Sequence, residues 1–128
     1  VEIGSRVPVL GRKVSEAQKE LDTFQNPGVR QVTLATDELT CNCPVTGQPD
    51  FYSLQVEYGP KDYCIESKSF KLYVWSFRSE GHFCEVLTST ILADIVEAVQ
   101  PEWCRVELCQ TVRGGISITA CATYGQRE

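Results

Sequence analysis

ESKSFKLYVWSFR, residues 66–78, is where the spacing of apolar side chains changes, and the fold turns on it. Phe70, Tyr73, Val74 and Phe77 recur at i, i+3, i+4 and i+7, the period of a helix with one buried face. A second helix reads from Cys84 to Val99, with Leu87, Ile91, Ile95 and Val99 on one side. Gly81 separates the two helices, and Pro101 ends the second. Outward in both directions the period falls to two. Upstream, residues 29–40 alternate as a strand, with Val32, Leu34 and Thr36 on one face and Gln31, Thr33 and Ala35 on the other. FYSLQVEY (51–58) is a second strand with Tyr52, Leu54, Val56 and Tyr58 together. Downstream, residues 102–112 and 115–123 read as two more strands, joined at Arg113-Gly114-Gly115 by a tight hairpin. The order ββααββ predicts an α+β domain: an antiparallel four-stranded sheet with both helices on one face. Such a sheet has two open edges, and strands this long predict pairing between subunits.

The remaining segments frame this unit. Residues 1–28 read as an N-terminal arm, in which Ser15-Glu16-Ala17-Gln18 starts a helical turn and Asn26-Pro27-Gly28 stops it. The domain itself is placed at 29–125, with a short tail at 126–128. CNCPVTGQPD (41–50), with two prolines and a glycine, reads as a rigid loop, and Gly59-Pro60-Lys61-Asp62 as a turn.

Composition narrows the function classes. The 128 residues fit one domain able to form a core without staples. The net charge of −5 excludes a broad basic surface for nucleic acid, while Lys68, Lys71 and Arg113 leave room for a local phosphate pocket. No apolar run approaches the roughly 18 residues a membrane helix requires. Val1–Leu10 is mixed and holds Pro8, so it does not read as a secretory leader. The cysteine count of 7 is odd, which suits reduced thiols in the cytoplasm better than a disulfide framework. Cys41-Asn-Cys43 is CxC, with no second pair at zinc spacing, and no metal is expected.

Four groups of residues carry chemistry. Cys43 lies in the stiff loop, where a thiol can be aimed, and a fold closed by Pro44, Gly47 and Pro49 would return Asp50 to its side. A carboxyl beside a thiol can exchange protons with whatever the thiol attacks, but a buried cysteine followed by a turn aspartate accounts for the same spacing. Glu66, Ser67, Lys68, Ser69 and Lys71 open the first helix, where backbone N–H groups and positive charge suit a phosphate, and equally suit a capped amphipathic helix. Glu85 opens the second helix after Phe83, as a dipole-stabilised carboxylate or as an acceptor for the N–H edge of a guanine-like base. Arg113 is either part of a turn or a phosphate clamp.

Read together, CPVTGQPDF (43–51), ESKSFKLYVWSFR (66–78), Phe83-Cys84-Glu85 and TVRGGISI (111–118) occur in the order and spacing of one family. The chain closely resembles the NADPH-dependent 7-cyano-7-deazaguanine reductases of queuosine biosynthesis, over roughly residues 30–125, in their short, single-module branch. The resemblance implies the tunnelling fold, in which sheets from several subunits join into a barrel, here a decamer of two stacked pentamers with active sites between subunits. It implies reduction of the nitrile to the amine 7-aminomethyl-7-deazaguanine with NADPH. Cys43 corresponds to the nucleophile that forms a thioimidate with the nitrile carbon, and Asp50 to the proton donor. Ile65, Glu66, Ser67, Cys84 and Glu85 fall at substrate-binding positions, and Ser67, Lys68, Arg113 and Gly114 at positions near NADPH. No direct nucleic-acid or membrane partner is implied.

One departure stands out. The family has His-Glu after the phenylalanine, whereas here Cys84 precedes Glu85, and the single histidine, His82, falls two positions early. Residues two apart do not share a helix face, so His82 is not an evident replacement. A thiol is a weak donor, and altered activity is expected. Two other functions remain. Related archaeosine-pathway proteins capture the same nitrile with a cysteine and add ammonia, but they lack the ESKSxKLY helix. A non-catalytic deazapurine-binding module, with Cys84 as the mark of decay, is the third reading.

Overall fold

The computed structural model describes residues 19–127. The helical turn expected at Ser15–Gln18 lies outside them. The elements run β1 (Thr23–Gln25), β2 (Val32–Asn42), β3 (Pro49–Gly59), β4 (Tyr63–Ile65), α1 (Ser67–Trp75), a 3-10 turn (Ser76–Ser79), α2 (Cys84–Val99), β5 (Trp103–Arg113) and β6 (Ile116–Gly125). β2, β3, β5 and β6 form one antiparallel sheet in the order β2-β3-β5-β6. This is the ββααββ frame read from the sequence.

Alternation explains the layering. On β3, Tyr52, Leu54, Val56 and Tyr58 are buried, while Phe51, Ser53 and Gln55 are exposed. Val106 and Leu108 of β5 extend the buried face, and Leu87, Ile91, Ile95 and Val99 of α2 close over it. Phe70, Tyr73 and Phe77 continue the same core, the last two ring to edge at 5.1 Å. Both helices therefore lie on one face, and the other face of the sheet is open.

β2 carries a register shift between Thr36 and Leu39. Val32, Leu34 and Thr36, at even positions, turn partly inward; beyond the shift the odd residues Leu39 and Cys41 are fully buried. The bulge thus re-aims the strand end that leads into Cys43. The hairpin at Gly114-Gly115 has φ of +58° and +80°, the paired left-handed geometry that matches strand twist and favours glycine at both positions.

Two features differ from the sequence reading. The loop expected over 41–50 is shorter, because the strands continue to Asn42 and restart at Pro49, with Cys41 paired to Asp50. The arm also contains β1, which pairs with β4 in a separate two-stranded sheet. Three residues are too few to display alternation, and their partners lie some 40 positions away, so no local signal marks them. Leu21 and Asp22, just before β1, are buried against the domain.

Candidate active site

The loop Cys43–Gln48 is closed by its own backbone. The Cys43 N–H donates to the Gln48 carbonyl at 2.7 Å, and the Gly47 N–H donates to the Cys43 carbonyl at 2.8 Å. Gly47 takes a φ of +73° to complete the turn. Gln48 N–H donates to the Thr46 hydroxyl at 3.2 Å. The Thr46 hydroxyl and the backbone N–H groups of Thr46 and Val45 hold the Cys43 thiol below its ordinary value of 9.0, against slight burial and the nearby Asp50 charge. Hydrogen bonds to sulfur favour the thiolate, the reactive form.

Cys41, two residues earlier, is the opposite case. Burial pushes its thiol up, with hydrogen bonds to Tyr52 and the His82 carbonyl only partly opposing this. The end of the bulged strand thus separates a buried thiol, held up by burial, from a loop thiol held down by hydrogen bonds.

Cys43 and Asp50 line one cavity of about 380 Å³ together with His82, Phe83, Cys84, Glu85, Arg113 and Gly114. Six residues singled out from the sequence are therefore brought together: Cys43, Asp50, Cys84, Glu85, Arg113 and Gly114. Asp50 is buried, and Arg113 donates to its Oδ1 at 2.6 Å. The same guanidinium bonds the Pro49 carbonyl and donates to Gln48 Oε1 at 2.9 Å. It ties the β5–β6 hairpin to the Cys43 loop. Glu85 and Phe83 are exposed at the start of α2, a carboxylate and a ring on the cavity wall. Cys84 is only 2% exposed, and burial pushes its thiol up to about 11. It packs as a small apolar residue and keeps its proton near neutral pH.

Ile65, Glu66, Ser67 and Lys68 are not in this cavity. Ile65 is buried, its N–H bonded to the Tyr58 hydroxyl at 2.8 Å. The Glu66 carboxylate caps α1, accepting from the N–H groups of Lys68 at 2.7 Å and Ser69 at 2.8 Å. Those amides are thus satisfied within the chain and are not open to a phosphate, and the Ser69 hydroxyl is fully buried on the Glu66 and Asp22 backbone. Ser67 and Lys71 are exposed and line a second cavity of about 440 Å³ with Phe70, Val74, Trp75 and residues of β2. The two cavities share no lining residue.

On a helix, His82 would face away from position 84. It is not on one: α2 begins at Cys84, and His82 lies in a segment joined to β2, with its N–H on the Asn42 carbonyl at 3.2 Å. Its presence on the cavity wall, like that of Thr46, has no signal in the local pattern.

The sheet and helices superpose on the crystal structure of the archaeosine synthase QueF-Like in the apo form, with a TM-score of 0.73 and 25% identity, over 79% of this chain and 99% of that one. The frame and its thiol-lined cleft thus define a tunnelling-fold enzyme. The family model described as QueF-like protein matches residues 49–128. The NADPH-dependent 7-cyano-7-deazaguanine reductase of Syntrophus aciditrophicus is 50% identical over 94% of this chain and 87% of its own. Those of Anaeromyxobacter sp. (strain Fw109-5) and Halorhodospira halophila are 46% and 45% identical, over 85% and 88% of this chain and 92% and 98% of theirs. The chain belongs to the QueF-like family of NADPH-dependent 7-cyano-7-deazaguanine reductases.

Proposed function

We propose that this protein reduces 7-cyano-7-deazaguanine to 7-aminomethyl-7-deazaguanine with NADPH, through a covalent adduct on Cys43. The observation that carries the chemistry is a thiol held toward its thiolate form in a cavity that also contains a buried carboxyl. Addition of the Cys43 sulfur to the nitrile carbon, with a proton from Asp50 to nitrogen, gives a thioimidate. Its C=N bond accepts hydride more readily than a nitrile, whose anion is poorly stabilised. Glu85 accepts from the N–H edge of the heterocycle, and Phe83 covers the ring. Bound NADPH supplies hydride to the carbon.

The residues present fit a phosphorylated cofactor through side chains rather than through the helix amides that Glu66 occupies. Ser67 and Lys71 at the mouth of the cleft walled by Phe70 and Trp75 offer a hydroxyl and a cation beside apolar surface. Lys68 adds a second cation. Arg113 holds Asp50 and the loop in this state, and a cofactor phosphate would draw the same guanidinium away from Asp50.

The cleft and the Cys43 cavity meet only between chains in this proposal. Thr36 on β2 and Cys43 just past its end are seven residues apart, about 20 Å at strand rise. β2 and β6 are edge strands, and joining them between copies would close the sheet into a barrel and bring one chain's α1 start to another's Cys43. A decamer of two pentamers is the proposed assembly. No helix among the described residues is long and apolar enough to cross a membrane. All seven thiols are free, and the cytoplasm is the proposed compartment.

Incubation with the nitrile and either NADPH or an ammonium salt tests the activity. Two NADPH oxidised per amine formed is the expected result; an amidine formed with ammonium while NADPH remains unchanged would assign the chain to the amidine-forming class.

A further inference from the structure

The chain has a single histidine, and it lies in the cavity of the nucleophile. Its placement is fixed by backbone pairing. The Asn42 N–H donates to the Glu80 carbonyl at 2.7 Å, the His82 N–H returns to the Asn42 carbonyl, and Gly81 bridges Asn42 in parallel. Residues 80–82 are thus zipped to the last residue of β2, directly before Cys43. The imidazole is then fixed on two sides. Phe77 meets it edge-on with centroids 5.9 Å apart, and Nε2 lies 2.8 Å from Glu80 Oε1. Glu80 is in turn paired with Lys19. Burial works against the Glu80 charge, but the bonds from His82 and Lys19 outweigh it and hold that carboxyl below its ordinary range. Nδ1 has no partner among the described residues.

Resting on the reductase reading, we propose that His82, oriented by Glu80, is a second catalytic proton donor to the substrate nitrogen. The reaction requires one. Converting C≡N to CH₂NH₂ takes two hydrides and two protons. Asp50 gives the first proton as the Cys43–carbon bond forms. The first hydride then reaches the carbon, and the nitrogen takes a second proton from His82. The Cys43–carbon bond breaks with its electron pair returning to sulfur, which leaves an iminium. The second hydride completes the amine with no further proton, and both donors are reset from water. Of the other groups on the wall, the buried Cys84 thiol keeps its proton, and Asp50 has already given its proton in the first step. His82 alone joins a carboxylate-held ring to an unoccupied nitrogen.

The test uses His82→Gln and His82→Asn in the full chain, each of which retains a polar group of similar reach. Expected are a fall in kcat of about 100-fold or more, on the order of general acid contributions, little change in the KM for the nitrile, and undiminished formation of the Cys43 adduct by intact-protein mass in the absence of NADPH. Turnover at the wild-type rate in either variant would overturn the proposal. Loss of the adduct in both variants would also overturn it, since His82 would then be shaping the cavity. A wild-type protein that forms neither adduct nor amine would instead overturn the reductase reading itself.

Discussion

Around Cys43 the polar groups are cross-tied within one chain: Arg113 spans Asp50, Gln48 and Pro49, and Thr46 and the loop amides hold the sulfur. At the start of α1 the tying is spent inward. Glu66 and Ser69 bond the helix and the Asp22 backbone, which leaves Ser67, Lys71 and Trp75 exposed along an edge strand. One region bonds its polar groups to one another across a cavity, whereas the other keeps its outer side chains exposed. Residues implied for one site thus sort by where their hydrogen bonds go: Arg113, Asp50 and Gln48 are bonded to one another around the cavity, and the α1 residues, whose helix is capped from within, offer only their outer side chains.

Breaking the first region has the largest expected effect. Asp50→Asn keeps the shape of the side chain but removes its ability to carry a proton and its charge toward Arg113; kcat should fall about 100- to 10,000-fold, as measured by NADPH oxidation. Next comes a test of whether the two regions cooperate between subunits. Cys43→Ala and Lys68→Glu should each be nearly inactive alone, and mixed oligomers formed from the two should regain NADPH oxidation. Failure to complement would place both regions of the site in one chain.

The contrast between the thiol at the end of β2 and the one in the loop after it can be sharpened in the same way. Thr46→Val removes the strongest bond lowering the Cys43 thiol and should move it back toward 9.0. Because the thiolate exists above the pKa, alkylation of Cys43 at neutral pH should slow up to about tenfold per unit regained, while wild-type Cys43 should stay reactive at lower pH. Cys41, raised by burial, should remain unlabelled in both proteins, as peptide mass mapping would reveal. The smallest effect is expected at the α1 cap. Glu66→Ala should cost about 1 kcal/mol, seen as a drop of a few degrees in Tm, and leave Cys43 alkylation unchanged.

Much of this was legible in the sequence. α2 is bounded at Cys84 and Val99 in both readings, because a 16-residue amphipathic run ended by a proline has few alternatives. The pairs Tyr52–Leu54 and Val56–Tyr58 face the core as alternation requires. Cys43 and Asp50 line one cavity, at the two sides of a turn marked by Pro44, Gly47 and Pro49 and closed by the pairing of Cys41 with Asp50. What was hidden depended on distance along the chain. β1 finds β4 some 40 residues later, and the Thr36/Leu39 bulge reverses which parity of β2 faces inward. His82 reaches the cavity through Asn42, and Arg113 meets Asp50 across 63 positions. Such pairings are set by sheet register, which no local window contains.

The most direct measurement is the mass of the intact protein after exposure to 7-cyano-7-deazaguanine without NADPH. The account predicts a gain equal to the whole nitrile, located on the peptide containing Cys43 and absent from Cys43→Ala. An unchanged mass, or an adduct that persists in Cys43→Ala, would contradict it.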